Sequence, residues 1–247
     1  MRAPVDTIAA PLFPTHLPWV NARSGKESIL RAGRPMLVEF WDFCRPNSMR
    51  TLPYLKAWHE RYAGDGLRVI GVHCPGFECS RGEQAVRDAV ERLRIEHPVL
   101  IDNDFELWRE YGNRGWPARY LFDGHARLFE YHYGEGGYRD TELAIQELLG
   151  VQRQAPAALR PEDAPDAQLA VPTPDQPGAY GGAYEAGGVW AVLDGHGTIQ
   201  INGKPIEIAH PGAYPLIEHD RHTAGTLQLR LGEGVECLAT CFTPGLA

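Results

Sequence analysis

The stretch that most constrains this chain runs from Pro35 to Pro53, PMLVEFWDFCRPNSMRTLP. Its apolar run, Met36 to Trp41, is broken only by Glu39 and is followed within a few residues by Cys44, Pro46, Asn47 and Ser48. A short continuous apolar run is the pattern of a strand buried on both faces, and the residues after it suit a helix start. Pro46 fits the first helical turn, and Asn47 and Ser48 can satisfy free backbone N–H groups there. A thiolate just before a helix N-terminus lies at the positive end of the helix dipole, which lowers its pKa. Cys44 is therefore the first candidate nucleophile, against the plain alternative of a small buried hydrophobe.

The pattern around this stretch predicts an α/β unit in the order β-α-β-α-β-α-β-β-α. A helix from about 46 to 63 places Leu52, Leu55, Trp58, His59 and Tyr62 at helical spacing, kinked at Pro53 and stopped by Gly64 and Gly66. Strand 67–73, LRVIGVH, follows, and the helical connection makes a right-handed βαβ unit. Then come helix 83–94, strand 98–101, a short helix around Phe105 to Tyr111, strand 118–122, an Asp123-Gly124 turn, strand 127–133 and helix 140–149. Strand 67–73 ends in His73-Cys74-Pro75, and in open parallel sheets the carboxyl ends of strands face the ligand crevice, so Cys44 and Cys74 are expected at one edge. Trp116-Pro117, just before a strand, is a candidate cis bond.

Composition separates this unit from the rest. Residues 1–33 are Pro-rich and read as an arm, with a short helix near 24–31; 34–150 form the α/β domain; 151–178 are a Pro-rich linker; 179–247 form an all-β domain. Its entry is a glycine-rich loop. About five short antiparallel strands follow, including 212–217, 225–231 and 235–242, with turn signals at Gly195 and Asn202-Gly203. That number suffices for a small β-sandwich.

The 247 residues carry a net charge of −8, which argues against nucleic acid as a partner. No run of eighteen apolar residues is present, so no membrane segment is expected, and the Pro-interrupted N-terminus lacks a signal-peptide pattern. Five cysteines without a C-x-x-C pair do not read as a disulfide scaffold. A cytoplasmic protein with reduced thiols is the expectation.

The segments VEFWDFCRPNSMRTLPYLKAWHERYAGDGLRVIGVH, IDNDFELWREYGNRGWPARYLFD and HYGEG resemble the thioredoxin-fold domain of DipZ and TlpA-like redoxins. The stretch from VWAVLDGHGTIQINGKPIEI to CLATCFTPG is similar to the C-terminal carbohydrate-binding-module-like domain of DipZ proteins. The resemblance covers roughly 34–150 and 187–245. It implies a central sheet flanked by helices, a C-x-x-C dithiol at the strand-helix turn, a cis-proline facing it and thiol-disulfide exchange; DipZ proteins also carry a membrane domain ahead of these two. Glu39 falls where thioredoxins place a buried acid, and Trp116-Pro117 matches the cis-proline signature. The dithiol does not match: ungapped alignment puts Arg45 at the nucleophilic cysteine and Ser48 at the resolving one, with Cys44 one residue early. With a one-residue gap, Cys44 takes the first position and Asn47 replaces the second thiol.

Three readings follow. In the first, the chain is an atypical thiol oxidoreductase or thiol peroxidase: Cys44 is the nucleophile, Glu39 or Arg45 tunes its proton, Ser48 stands in the resolving position and Cys74 resolves Cys44 across the crevice. Its partner is a thiol or disulfide-bearing small molecule or protein, with Trp41, Trp116, Pro117 and His73 lining the substrate site, and no cofactor is expected. In the second, the fold is redox-inactive and binds ligands at a groove of Trp41, Trp116 and Phe77. In the third, Cys44, Cys74, Cys79 and His73 hold a soft metal or metalloid, although the C-x4-C spacing of HCPGFEC is not a standard zinc pattern.

In the β domain, His219 and His222 sit in EHDRH, read as a solvated turn, and His210 lies nearby. Cys237 and Cys241 are expected on one face of a strand, about 13 Å apart and too far to bridge. Trp190, Tyr180, Tyr184 and Tyr214 make a thin aromatic platform for a carbohydrate, so a structural or interface role is expected for this domain.

Overall fold

The computed structural model describes residues 1–4, 7–22 and 33–247. The short helix expected near 24–31 lies outside the described residues. Two compact units are present: 1–42 with 47–156, and 43–46 with 157–247.

The first unit is built on a six-stranded mixed sheet. Its strands are β1 (Trp19–Val20), β2 (Met36–Trp41), β3 (Arg68–His73), β4 (Val99–Ile101), β5 (Ala118–Phe122) and β6 (Leu128–Tyr133), in spatial order β1-β4-β3-β2-β5-β6. Strand β2 is central and every residue of it is buried, as a continuous apolar run requires. It pairs in parallel with β3 and antiparallel with β5. The helices are α1 (Pro46–Tyr62), α2 (Glu83–Arg92), α3 (Glu106–Glu110) and α4 (Tyr138–Leu149). Pro53 lies within α1, which runs unbroken for 17 residues.

Period-two alternation divides the buried residues of the central strands between the two sheet faces. Met36, Val38 and Phe40 join Ile70, Val72, Leu100, Ala118, Tyr120 and Phe122 in one cluster, to which the arm adds Phe13. The alternate residues, among them Leu37, Glu39, Trp41 and His73, point to the other face. There Gly71 is required by close approach: a Cβ at this position would stand 2.9 Å from Trp41 Nε1 and 3.4 Å from His97 Nε2. The arm is part of the unit, because Trp19–Val20 pairs with β4 at the sheet edge and isolated bridges join Arg2 to Glu130 and Ala9 to Arg127.

The second unit is all-β. A six-stranded antiparallel sheet has the order β11-β10-β12-β9-β13-β8, where β8 is Gln176–Pro177, β9 Gly181–Gly195, β10 Gly197–Ile201, β11 Lys204–Ile208, β12 Gly212–Leu231 and β13 Val235–Thr243. A two-stranded sheet pairs β7 (Leu169–Ala170) with β14 (Gly245–Leu246). Asn202-Gly203 forms the β10–β11 hairpin turn, both residues at positive φ (50° and 81°), the conformation that Asn-Gly favours.

Three expectations fail in this unit. The glycine-rich entry is strand, the start of β9, not loop. The segments 212–217 and 225–231 are one long strand, and EHDRH is its bulge, where the register to β9 shifts between Glu218 and Thr223. Cys237 and Cys241 do not share a face: an extra residue between Cys237 and Ala239 shifts the pairing, so Cys237 opposes Leu193 and Cys241 opposes Trp190. One inserted residue exchanges the faces of everything beyond it. Cys237 therefore joins the core cluster with Leu193 and Phe242, whereas Cys241 lies outside it, half-buried.

Candidate functional site

The site expected from the sequence is the edge where β2 and β3 end and β5 begins. Helix α1 starts at Pro46, so Arg45 immediately precedes it and Ser48 is its third residue. Ser48 is buried, and its hydroxyl accepts the Asp42 N–H at 3.3 Å, locking the turn with an oxygen. Cys44 is a free thiol with no exposed surface, Arg45 is half-buried and Asn47 exposed.

Glu39 is also fully buried. The register places it between Gly71 of β3 and Arg119 of β5, and neither carboxyl oxygen has a hydrogen-bond partner. Loss of hydration pushes its pKa from 4.5 up to about 8, opposed by the Arg119 charge. Glu39 is thus protonated at neutral pH. Arg119 is itself buried, donates to the Gly136 carbonyl, and lies over the rings of Trp58 (5.6 Å) and Tyr138 (5.2 Å).

At the ends of β2 and β3 four polar groups come together without exposure. His73 Nε2 lies 3.3 Å from Asp42 Oδ1, and Asp42 Oδ2 accepts the Gly76 N–H at 2.8 Å. The Cys74 thiol donates to Asp102 Oδ2 at 3.6 Å. Asp102 also accepts the N–H groups of Glu106 (2.7 Å) and Trp108 (2.9 Å), fastening the start of α3. Burial first, then the Asp102 and Asp42 charges, push the Cys74 pKa well above its ordinary value. Cys74 is a buried thiol held as a thiol. Asp42 and Asp102 escaped the sequence reading; the signal was an aspartate directly after each apolar run, in FWD and LID.

The Trp116-Pro117 peptide is cis. Trp116 Nε1 donates to the Cys74 carbonyl at 3.0 Å, and its ring lies 4.5 Å from that of Trp108. Of the expected substrate residues, Trp41, His73 and Pro117 are buried; Trp116 and Phe77 are half-buried. The metal reading gains no geometry, since among the described residues no three His, Cys, Asp or Glu side chains group as ligands.

The histidines of the second unit are separately engaged. His219 meets the Tyr184 hydroxyl at 2.9 Å, His210 meets that of Tyr214 at 2.9 Å, and His222 lies 3.7 Å from Glu185. Trp190 is buried, and Tyr180 packs edge-on against Phe242 at 5.6 Å. Burial, and then Asp175, raise the Cys241 pKa to about 12.

No family model matches the chain. It is 27% identical to Mycobacterium bovis protein DipZ over 289 residues, covering 92% of this chain and 41% of DipZ. The chain is a homologue of DipZ. It spans about two fifths of that relative's length. Bacillus subtilis thiol-disulfide oxidoreductase YkuV is 24% identical over 131 residues, 53% of this chain and 87% of YkuV. A solution structure of a thioredoxin-like protein in the oxidized form matches with a TM-score of 0.52 at 24% identity, over 58% of this chain and 95% of that one. The fold of the first unit is thioredoxin-like, and homology extends to thiol-disulfide oxidoreductases. No described helix of this DipZ homologue is long and apolar enough to cross a membrane.

Proposed function

We propose that this DipZ homologue uses a thioredoxin-like fold to recognise a thiol- or disulfide-bearing partner without carrying out dithiol exchange. The observation that carries the reading is the chemistry of the turn: the helix begins with Arg45 and Ser48 in the aligned dithiol positions, and the Ser48 oxygen is committed to the Asp42 N–H. Exchange needs a thiolate to attack and a second thiol to resolve the mixed disulfide. Asn47 is the residue three after Cys44, and Cys74 is buried and held protonated. Recognition would fall to the half-buried Trp116 and Phe77 and the exposed Asn47.

A second reading, single-thiol chemistry at Cys44, draws on one feature: a protonated Glu39 two residues before the end of β2 is a proton store of the kind a thiol reaction needs. The two separate in one experiment. Insulin is incubated with the chain and dithiothreitol, and native-state iodoacetamide labelling is read by mass spectrometry. The recognition reading expects no acceleration of insulin reduction, saturable binding of insulin, and Cys44 labelled only after urea. Turnover that disappears in Cys44→Ser would install the single-thiol reading instead. Absence of both turnover and binding overturns both.

A further inference from the structure

Away from this edge, the first unit holds a cavity of about 440 Å³ that none of the site residues lines. Small-molecule sites fall in the range of roughly 300–1,000 Å³. Strands β5 and β6 contribute Tyr120, Tyr131 and Tyr133; Tyr111 and Arg114 come from the end of α3 and the loop after it; Ile8 and Ala9 of the arm complete the lining used here. The tyrosines make a continuous aromatic surface. Ring centroids are 5.1 Å apart for Tyr111 and Tyr120, 6.0 Å for Tyr120 and Tyr133, and 5.5 Å for Tyr131 and Tyr133. These rings meet one another at 62–81°, so a flat aromatic ring can pack against them edge-to-face or offset.

Two polar features set the ligand's chemistry. The Tyr120 hydroxyl donates to Asn113 Oδ1 at 3.1 Å, whereas the Tyr111 hydroxyl is buried with no hydrogen-bond partner. Buried phenols normally find an acceptor; this hydroxyl has no accessible surface, so it takes no bond from a ligand in the cavity. Arg114 is exposed and, among the described residues, enters no ion pair or side-chain hydrogen bond. Its planar fork matches a carboxylate. Glu110, the carboxylate of the lining, disfavours a second negative group on the ligand.

We propose that this cavity binds a planar aromatic monocarboxylate: the ring system lies against the tyrosines and Arg114 meets the carboxylate. No thiol takes part, so the inference stands whichever reading of the turn holds.

The test titrates the full chain with 6-hydroxynaphthalene-2-carboxylate, followed by anisotropy of the probe, beside 2-naphthylmethylamine as its cationic counterpart. Saturable 1:1 binding of the carboxylate is expected, with the amine about tenfold weaker. Arg114→Ala is expected to weaken binding up to about fivefold, the range of an exposed ion pair. Tyr111→Phe is expected to leave binding unchanged and the ligand-free melting temperature unchanged or higher, since it deletes an orphaned hydroxyl that the ligand does not reach. Ala9→Trp, at an exposed position, should fill the cavity and abolish binding. No saturation below about 1 mM, a preference for the amine, or equal affinity in Arg114→Ala and wild type overturns the proposal. Arg114 is on the surface, so that variant remains informative if Ala9→Trp fails to fold.

Discussion

Replacing Glu39 with glutamine should change how the stability of the chain depends on pH. The folded-state pKa of Glu39 is raised from 4.5 to about 8 by complete burial, only partly offset by Arg119. Below pH 4.5 the group is protonated in both folded and unfolded chains, and its contribution to stability is full. Between 4.5 and 8 the unfolded chain releases the proton and the folded chain keeps it, so stability falls as pH rises; above 8 the loss is complete. At about 1.4 kcal/mol per pH unit, the fall is roughly 5 kcal/mol across the whole window and about 4 kcal/mol between pH 5 and pH 8. Glu39→Gln keeps the size of the side chain and removes the titration. The buried His97 and the half-buried His132, with pKa values lowered to about 3 and about 4 mainly by loss of hydration, oppose this trend at low pH, but they are common to both chains and cancel in the comparison. Urea unfolding followed by tryptophan fluorescence is the assay, because five of the six tryptophans, at 19, 41, 58, 108 and 116, lie in the unit that holds Glu39. The wild type should lose about 4 kcal/mol relative to the variant over that range. Parallel stability curves from pH 5 to 8 would refute a protonated Glu39.

The double substitution Arg45→Cys, Ser48→Cys places two thiols at the helix start and, on the recognition reading, should gain insulin reductase activity over the wild type; an inert double variant with both thiols accessible to alkylation would show that the edge needs more than the thiols. Asp102→Ala removes the acceptor of two helix-start N–H groups and of the Cys74 thiol, and should destabilise the chain by about 2–4 kcal/mol while making Cys74 easier to alkylate. Unchanged Cys74 labelling would separate the thiol from Asp102. Gly71→Ala should destabilise by about 1–3 kcal/mol in a thermal melt, because its methyl group would press on Trp41 with no open space to accept it.

The first unit was legible in the sequence because its signals are local. Apolar runs at 36–41 and 118–122 bounded by prolines and turn residues mark strands buried on both faces, and the structure gives those bounds unchanged. Strand β1 was not legible: two residues, Trp19–Val20, become a strand only because β4 offers an unpaired edge. In the second unit, the length of β12 and the face of Cys241 depend on bulges, which leave no mark in a period-two pattern. The candidate site divides the same way. Cys44 and Ser48 could be placed at the turn, and Glu39 in the strand before it, from the local pattern alone. The state of Cys74 could not, because it is set first by burial and then by Asp102, 28 residues away across a strand pair.

That dependence would let a thioredoxin-like edge persist without dithiol exchange, as proposed for this chain. The features that shape the edge have structural partners of their own: Trp116 is held by the Cys74 carbonyl, Asp102 caps α3, Asp42 ties the turn through Ser48 and Gly76, and Arg119 packs on Trp58 and Tyr138. Removing any of these leaves a buried donor or acceptor unpaired, which is destabilising by about 1–3 kcal/mol per group. The Ser48 hydroxyl accepts the Asp42 N–H, and Arg45, ahead of the first helical residue, is half-buried. The scaffold is therefore expected to outlast its thiols, and the restored dithiol of Arg45→Cys, Ser48→Cys measures whether it has.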